Sequence, residues 1–538
     1  MTVEALIVAC LLGAAVTVFA PNRVASRVAL LASLVPVAIS AWMYATFSGV
    51  GNALVDGTVA EGDIAFETTA EWVELGQYTL RWHVGLDGIS MPLVALTTVL
   101  TSLAVVSSVS AIDERQSQFY GLMLFVEAGL LGVFSALDFF AWFVFWEGVL
   151  VPMYFLVGVW GGPRRKYAAT KFFVYTNVAS LVMFVAYVSL VFALGPAVDS
   201  FDMVAVAGAL RDGALTGALG LTADALALVA FVAMFFGFGV KVPVVPLHTW
   251  LPDAHVEAPT PVSIVLAGVL LKMGTYALLR YNFTMLAEVA RRPTVATAVA
   301  VVAVVSVLYG AVLALAQSDL KRIVAYSSVS SMGYVLLGLV AYTVYGVGGA
   351  TFQMVSHGLL SGLLFMTVGV VYNQTHTRMV EDMSGLADRM PVAAGVFVAG
   401  AFGYMGLPLT SGFAAEFFVF VGSFGADFPA AAAFTALSMF GIVVVAGYLL
   451  WAMQRSLFGP FRLETDCELE RAPTRDVVPL LVLLGLMIAL GVAPELVFGM
   501  VRGASEPLVE GAGAAGGEGA PAGLGVARDG VAVLGGDV

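Results

Sequence analysis

The stretch 237–280 reads GFGVKVPVVPLHTWLPDAHVEAPTPVSIVLAGVLLKMGTYALLR. Two lysines, Lys241 and Lys272, lie in apolar sequence where a cation is costly. Between them stand Pro243, Pro246, Pro252, Pro259 and Pro261. Each proline removes an amide donor and fixes φ, so a helix entering from about residue 223 must break just after Lys241. In lipid, a broken backbone is tolerated only when protein buries it or when it lines a polar cavity. Ionisable side chains beside such a break are default candidates for an ion pathway.

The rest of the chain agrees with a membrane setting. Of its 538 residues, 60% are hydrophobic and 11% charged, and the mean hydropathy is +0.95. A soluble domain carries roughly a quarter of its residues as charges. A net charge of −13 argues against a nucleic-acid partner. Five histidines and two distant cysteines, Cys10 and Cys467, give no disulfide framework and no metal or haem pattern. The first apolar run lacks a basic leader, and Pro21-Asn22-Arg23 is no small-residue cleavage site. It is expected to be a retained span.

The sequence predicts an all-α polytopic protein with about fourteen spans. The run 392–425 is too long for one straight helix and contains GLPLTSGF, so it too is expected to be interrupted. Two interrupted spans five positions apart predict two inverted five-helix repeats, 117–282 and 294–454. Around them stand N-terminal spans with an acidic loop (1–116), a C-terminal span (455–502) and a Gly- and Ala-rich disordered acidic tail (503–538). The loop 48–88 is expected to hold a short hairpin near Tyr78–Val84. With the N-terminus outside, the inner loops hold roughly twice as many Lys and Arg as the outer ones, which places both termini outside. Arg280 counts among the outer cations in that reading.

Five ionisable groups fall at membrane depth. Glu147, in FFAWFVFWEGVLVPMYF, lies ~13 Å into its span, where a short side chain has no route to water. Lys272 is too deep to snorkel. Burial disfavours a lysine's charged form, so such a group can exchange its proton near neutral pH. Lys241 can act in the same way, or can simply cap the carbonyls of the broken helix end. His357, in QMVSHGLL, titrates near the working range if it is not a satisfied core residue. Glu416 follows the second break, in TSGFAAEFFVF. Glu127, in FVEAGLLGVF, is a further buried carboxylate. Gln317, Asp319, Lys321 and Arg322 read as a solvated face between two helices. No nucleotide loop, dinucleotide fingerprint or cluster-cysteine pattern is present. The chain can hand on protons but has no visible energy source.

At these residues the sequence resembles the antiporter-like subunits of respiratory complex I, and its M chain in particular. The resemblance rests on FWEGVLVPMYFLVGVWG (145–161), AATKFFVYT (168–176), KVPVVPLHTWLPDAHVEAPTPVS (241–263), LAGVLLKMGTYALLR (266–280), QSDLKRIVAYSSVSSMG (317–333), FQMVSHGLL (352–360) and GLPLTSGFAAEF (406–417). It implies a proton-pumping membrane subunit without cofactors of its own. Quinone, iron–sulfur clusters and the electron-donor site would lie in partner subunits, with L- and N-type chains as neighbours in the lipid bilayer of the cell membrane. By position, Glu147 matches the family's essential glutamate, Lys241 its lysine partner and Lys272 the central lysine. His357 matches the relay histidine and Glu416 the terminal acid. One departure is Ser331, where the family commonly has a histidine. A serine there can hold a water but does not titrate. The L and N chains and the multisubunit sodium/proton antiporters usually carry lysine where Glu416 stands, which favours M. A subunit of such an antiporter is the alternative reading.

Overall fold

The computed structural model describes residues 2–49, 51–56, 64–218, 220–465, 469 and 472–514. Among them, twelve helices are long and apolar enough to cross a membrane. Three shorter apolar helices, Val3–Phe19, Pro391–Tyr404 and Ser411–Phe424, join them. Two helices form the centre of the bundle. The apolar windows of Thr260–Met285 and Val344–Thr375 are 100% buried, whereas those of Asn22–Ala45 and Thr474–Val492 are only 28% buried. Lys272 and His357 therefore sit on the two helices furthest from lipid.

Both predicted interruptions are present. The helix Ala223–Lys241 stops at Lys241, and the chain becomes helical again only at Trp250–Glu257. A helix end leaves carbonyls without partners. Here the Trp250 indole N–H donates to the Val240 carbonyl at 2.8 Å and satisfies one of them. The second interruption separates Pro391–Tyr404 from Ser411–Phe424. Thr410 caps the second half, its hydroxyl accepting from the Phe413 amide. Gly406, inside the gap, has φ +65°.

A third irregularity is not written in proline. The Lys272 helix carries two π-helical segments, Leu266–Leu270 and Leu278–Met285, on either side of Leu271–Ala277. Such widened turns are frequent at functional sites.

The loop before the third span is more ordered than its sequence implied. Strands Ala65–Leu75 and Tyr78–Leu86 pair antiparallel and turn at Gly76, φ +65°. This hairpin is longer than the short one expected near Tyr78–Val84. It is stitched to the bundle where the Leu137 amide donates to the His83 carbonyl at 2.8 Å. Asp138, next in sequence, caps the Glu147 helix by accepting from the Phe140 and Ala141 amides.

Two charges read as exposed are buried. Arg280 is 1% exposed and donates to Asp87 at 2.6 Å and to Asn52 at 2.9 Å. It pins the Lys272 helix to the hairpin end of the bundle and is not a loop cation. Lys321 is 3% exposed, and its ammonium donates to the Ala258 carbonyl at 2.7 Å. Its neighbours Gln317, Asp319 and Arg322 stay half-buried. The helix Glu495–Ala514 runs past 502, through residues expected to open the disordered tail. The remainder of that expectation (515–538) and Cys467 lie outside the described residues.

Candidate functional site

Glu147 is half-buried on the helix Phe139–Gly148. Asn177, from the next long helix, donates to one carboxylate oxygen at 3.3 Å. The other oxygen is buried with no protein partner. Lys241 is 1% exposed. Its ammonium donates to the Trp146 carbonyl at 3.2 Å and stands 3.8 Å from the centroid of a Trp146 ring. A desolvated cation over an indole face gains about 2 kcal/mol. Lys241 thus reaches the residue next to Glu147 but does not make an ion pair with Glu147 itself.

Lys272 is fully buried. Its ammonium donates to the Ala267 carbonyl, in the first π segment, at 2.6 Å. It also meets His357 Nδ1 at 2.6 Å. With the ammonium donating, His357 Nδ1 accepts, so the neutral ring carries its proton on Nε2. That Nε2 has no protein partner. The ring stands edge-on to Tyr404, centroids 5.8 Å apart.

Around Tyr404 the interior turns polar, on a helix rich in serine. The Tyr404 hydroxyl faces Ser327, Ser328 and Ser361, and Tyr448 also faces Ser327. Ser331 is buried on the same helical face, one turn along from Ser327 and Ser328. Tyr334 and Tyr448 both lie close enough to Glu416 to sense its charge. Glu416 is buried, and its Oε2 has no protein partner. The carboxylate reaches back over the helix gap: a Cβ built on Gly406 would lie 2.6 Å from Oε2.

Glu147 Oε1, His357 Nε2, the Tyr404 and Tyr448 hydroxyls, and Glu416 Oε2 are all buried without a protein hydrogen-bond partner. Buried polar groups without protein partners are normally satisfied by ordered water, which is also the usual proton carrier between side chains too far apart to touch. Glu127 stands elsewhere. It is fully buried on Gln116–Ser135, its oxygens lack hydrogen bonds, and its neighbour is Cys10 of the first helix.

Sequence reasoning missed His255. It is fully buried, stacks on Phe365 at 4.6 Å and has no hydrogen bond at either ring nitrogen. It lies near both Lys321 and Lys272. The polar run PDAHVE around it disguised a buried group as a loop one. On the opposite face from the hairpin, a cavity of about 270 Å³ lined by Asp253, Glu257, Asp319 and Arg322 opens beside that segment. Among the described residues, no group of three or more His, Cys, Asp or Glu could hold a metal.

A multi-pass helical bundle with ionisable side chains buried at its centre is the kind of membrane architecture in which ion pathways are found. Comparison with known proteins narrows it. Residues 136–441 match the family model described as NADH:quinone oxidoreductase/Mrp antiporter, TM. The NAD(P)H-quinone oxidoreductase chain 4 3 of Trichormus variabilis is 41% identical over 441 residues, covering 80% of this chain and 79% of that one. The NADH-quinone oxidoreductase subunit M of Rhodobacter capsulatus is 38% identical, covering 91% of each. A chain of respiratory complex I from Thermus thermophilus superposes with a TM-score of 0.81 at 25% identity, covering 96% of this chain and 100% of that one. The chain belongs to this antiporter-like transmembrane family. Within it, the chain stands with the subunit M or chain 4 type, whose members are membrane subunits of larger complexes.

Proposed function

We propose that this chain is the proton-translocating M-type membrane subunit of a complex I-type quinone oxidoreductase. It works as part of that enzyme and carries out no redox chemistry itself. Quinone, iron–sulfur clusters and the electron-donor site belong to partner subunits, and L- and N-type chains are its neighbours in the cell membrane. The hairpin face is the outer face, with both termini outside. The basic-residue asymmetry of the loops supports this orientation.

The single observation that carries the reading is the 2.6 Å contact between Lys272 and His357 at the buried centre of the bundle. Two proton-carrying groups at hydrogen-bond distance, shut off from bulk water, have transfer as their natural chemistry. The relay runs through Glu147, Lys241, Lys272, His357 and Glu416, with Ser331 holding a water beside it and Glu127 secondary. Glu147 and Lys241 form the switch. A charge pair at 4 Å and an effective dielectric of 20 is worth about 4 kcal/mol. Moving one charge against the membrane potential costs about 2.3 kcal/mol per 100 mV, so the switch is strong enough to drive a transfer. The contacts of Glu147 with Asn177 and of Lys241 with the Trp146 carbonyl support such a switch, because each gives its side chain a second partner when the pair separates and Lys241 passes its proton towards Lys272.

The test is Glu147→Gln, which keeps the shape and removes the charge. The assembled complex, reconstituted in vesicles, should lose most of the protons moved per quinone reduced. A wild-type ratio would eliminate the switch. The second reading, a subunit of a multisubunit sodium/proton antiporter, is favoured by the joint family description. Copurification of quinone-site and iron–sulfur subunits excludes it, whereas sodium-dependent proton exchange without redox coupling would establish it.

A further inference from the structure

We propose that the hairpin face carries a specific site for a zwitterionic aminophospholipid, with its headgroup between two loops and one acyl chain seated between two helices. The site is separate from the proton path.

The connection after the Lys272 helix holds Glu288, Arg291 and Arg292. These three residues border two cavities at once, of about 390 and 880 Å³. The larger also takes Tyr342 and Asp427 from the next two connections on the same face. The Arg291 guanidinium lies 5.9 Å from the centroid of the Tyr342 ring. Arg292 is bound to Asp224 through its two terminal nitrogens. A guanidinium has five N–H donors, so one carboxylate does not exhaust it, and phosphate is a natural second acceptor.

Directly beneath these arginines an apolar groove of about 240 Å³ enters the membrane between Ala223–Lys241 and Pro293–Leu315. Phe231 and Phe235 form one wall, and Val295, Ala298 and Val302 the other. From Arg292, which caps its helix, to Val302 is ~15 Å along the axis. That is half of the ~30 Å hydrocarbon core, the depth of one leaflet. The polar cavity and the apolar groove are therefore spaced for the two ends of one amphiphile.

The signs of the lining charges select the headgroup. Arg291 and Arg292 line the larger cavity together with the carboxylates Glu288 and Asp427, and Arg211 and Asp224 add one charge of each sign in the smaller one, so the lining is balanced. A headgroup bearing both a phosphate and a primary ammonium satisfies both signs. A net-anionic headgroup would leave the carboxylates opposed, and a choline has no N–H to donate to them.

The test uses the whole complex, purified in mild detergent and stripped of loose lipid. Phosphatidylethanolamine, phosphatidylglycerol or phosphatidylcholine is added at equal concentration, and retained lipid is counted by native mass spectrometry. Phosphatidylethanolamine should be retained on the order of tenfold better, the discrimination that one charge-assisted hydrogen bond supplies. Equal retention of all three overturns the headgroup assignment, and this comparison needs no variant to assemble. In Ala298→Trp, which fills the groove, and in Arg291→Gln with Arg292→Gln, that preference should vanish while subunit content and proton pumping stay unchanged. Undiminished preference in both overturns the site. A protein rather than a lipid as the main cross-linking product of Ala298→Cys would place a neighbouring helix in the groove and overturn it as well.

Discussion

The two broken helices solve the same problem with opposite charges. At the first, Lys241 occupies the last turn before the gap, at a helix C-terminus, where the backbone dipole favours a cation. At the second, Glu416 belongs to the helix after the gap, and its carboxylate reaches back over Gly406 towards that helix's N-terminal end, where an anion is favoured. Each break is a dry backbone terminus made tolerable by a side chain of matching sign. In the proposed relay, a break that holds a cation and one that holds an acid can stand at the two ends of one path without competing for the same charge state.

The largest expected difference between them is electrostatic. Lys241→Ala leaves the first C-terminus without its cation and removes a proton carrier, so proton translocation should fall about a hundredfold, the usual worth of a positioned acid–base group. Glu416→Lys puts a cation at an end that prefers an anion but keeps a titratable group, and it should retain more activity than Glu416→Ala. A Glu416→Lys rate equal to that of the unmodified protein, measured in vesicles, would show that charge type at the breaks is irrelevant, and a rate no better than that of Glu416→Ala would show that a titratable group there is not enough.

Next in size is Gly406→Ala. It forces a side chain into positive φ and against the Glu416 carboxylate. The strain is about 1–2 kcal/mol. The purified complex should inactivate at a lower temperature, with no comparable loss from an alanine at Gly395, where a Cβ meets nothing within 4 Å. If the two glycines behave alike, close packing at the second break is not the reason for Gly406. Smaller still is Ser331→Ala, which should slow pumping less than about twofold, within the range of a single lost water contact. A loss as deep as that of Lys272→Ala would mean that Ser331 carries protons.

The smallest effect lies outside the membrane. His83 is flanked by Asp202 and by Glu67, the latter at 2.9 Å. Burial pulls its pKa down, but the hydrogen bonds and charges of the two carboxylates outweigh this and hold it above the ordinary value. Its stabilising contribution is therefore complete below about pH 6.5 and is lost as pH rises through the raised value. Hydrogen exchange of strand Tyr78–Leu86, corrected for intrinsic rates, should show protection that fades with rising pH and that His83→Gln removes. A pH-independent profile would sink the clamp.

The breaks were legible because proline enforces them whatever surrounds it. Membrane depth marked Glu147, Lys241, Lys272, His357 and Glu416 for the same reason: an apolar run gives a charge nowhere to hide. Position near a span end was less informative. Arg280 and Lys321 look like loop cations in sequence, and only the packing of distant segments shows Asp87 and the Ala258 carbonyl waiting for them. His255 was hidden by its polar neighbours. The π segments had no signal at all, since Leu266–Leu270 is ordinary helix sequence.

The Arg280–Asp87 anchor has a mechanical consequence for the helix it holds. One end of that helix is riveted to the hairpin end of the bundle. The other begins directly after the Ala258-Pro259 linker that follows the first break. A rod fixed at one end and sleeved on all sides cannot slide as a piston; what is left to it is torsion. The two π segments sit where a twist can be taken up, one on each side of Lys272. One residue of helical register corresponds to a rotation of ~100°. With Arg280 itself inside the second widened turn, the stretch that carries Lys272 is held at that end, and any change in the direction its ammonium faces would have to come from turning in place rather than from travel along the membrane normal.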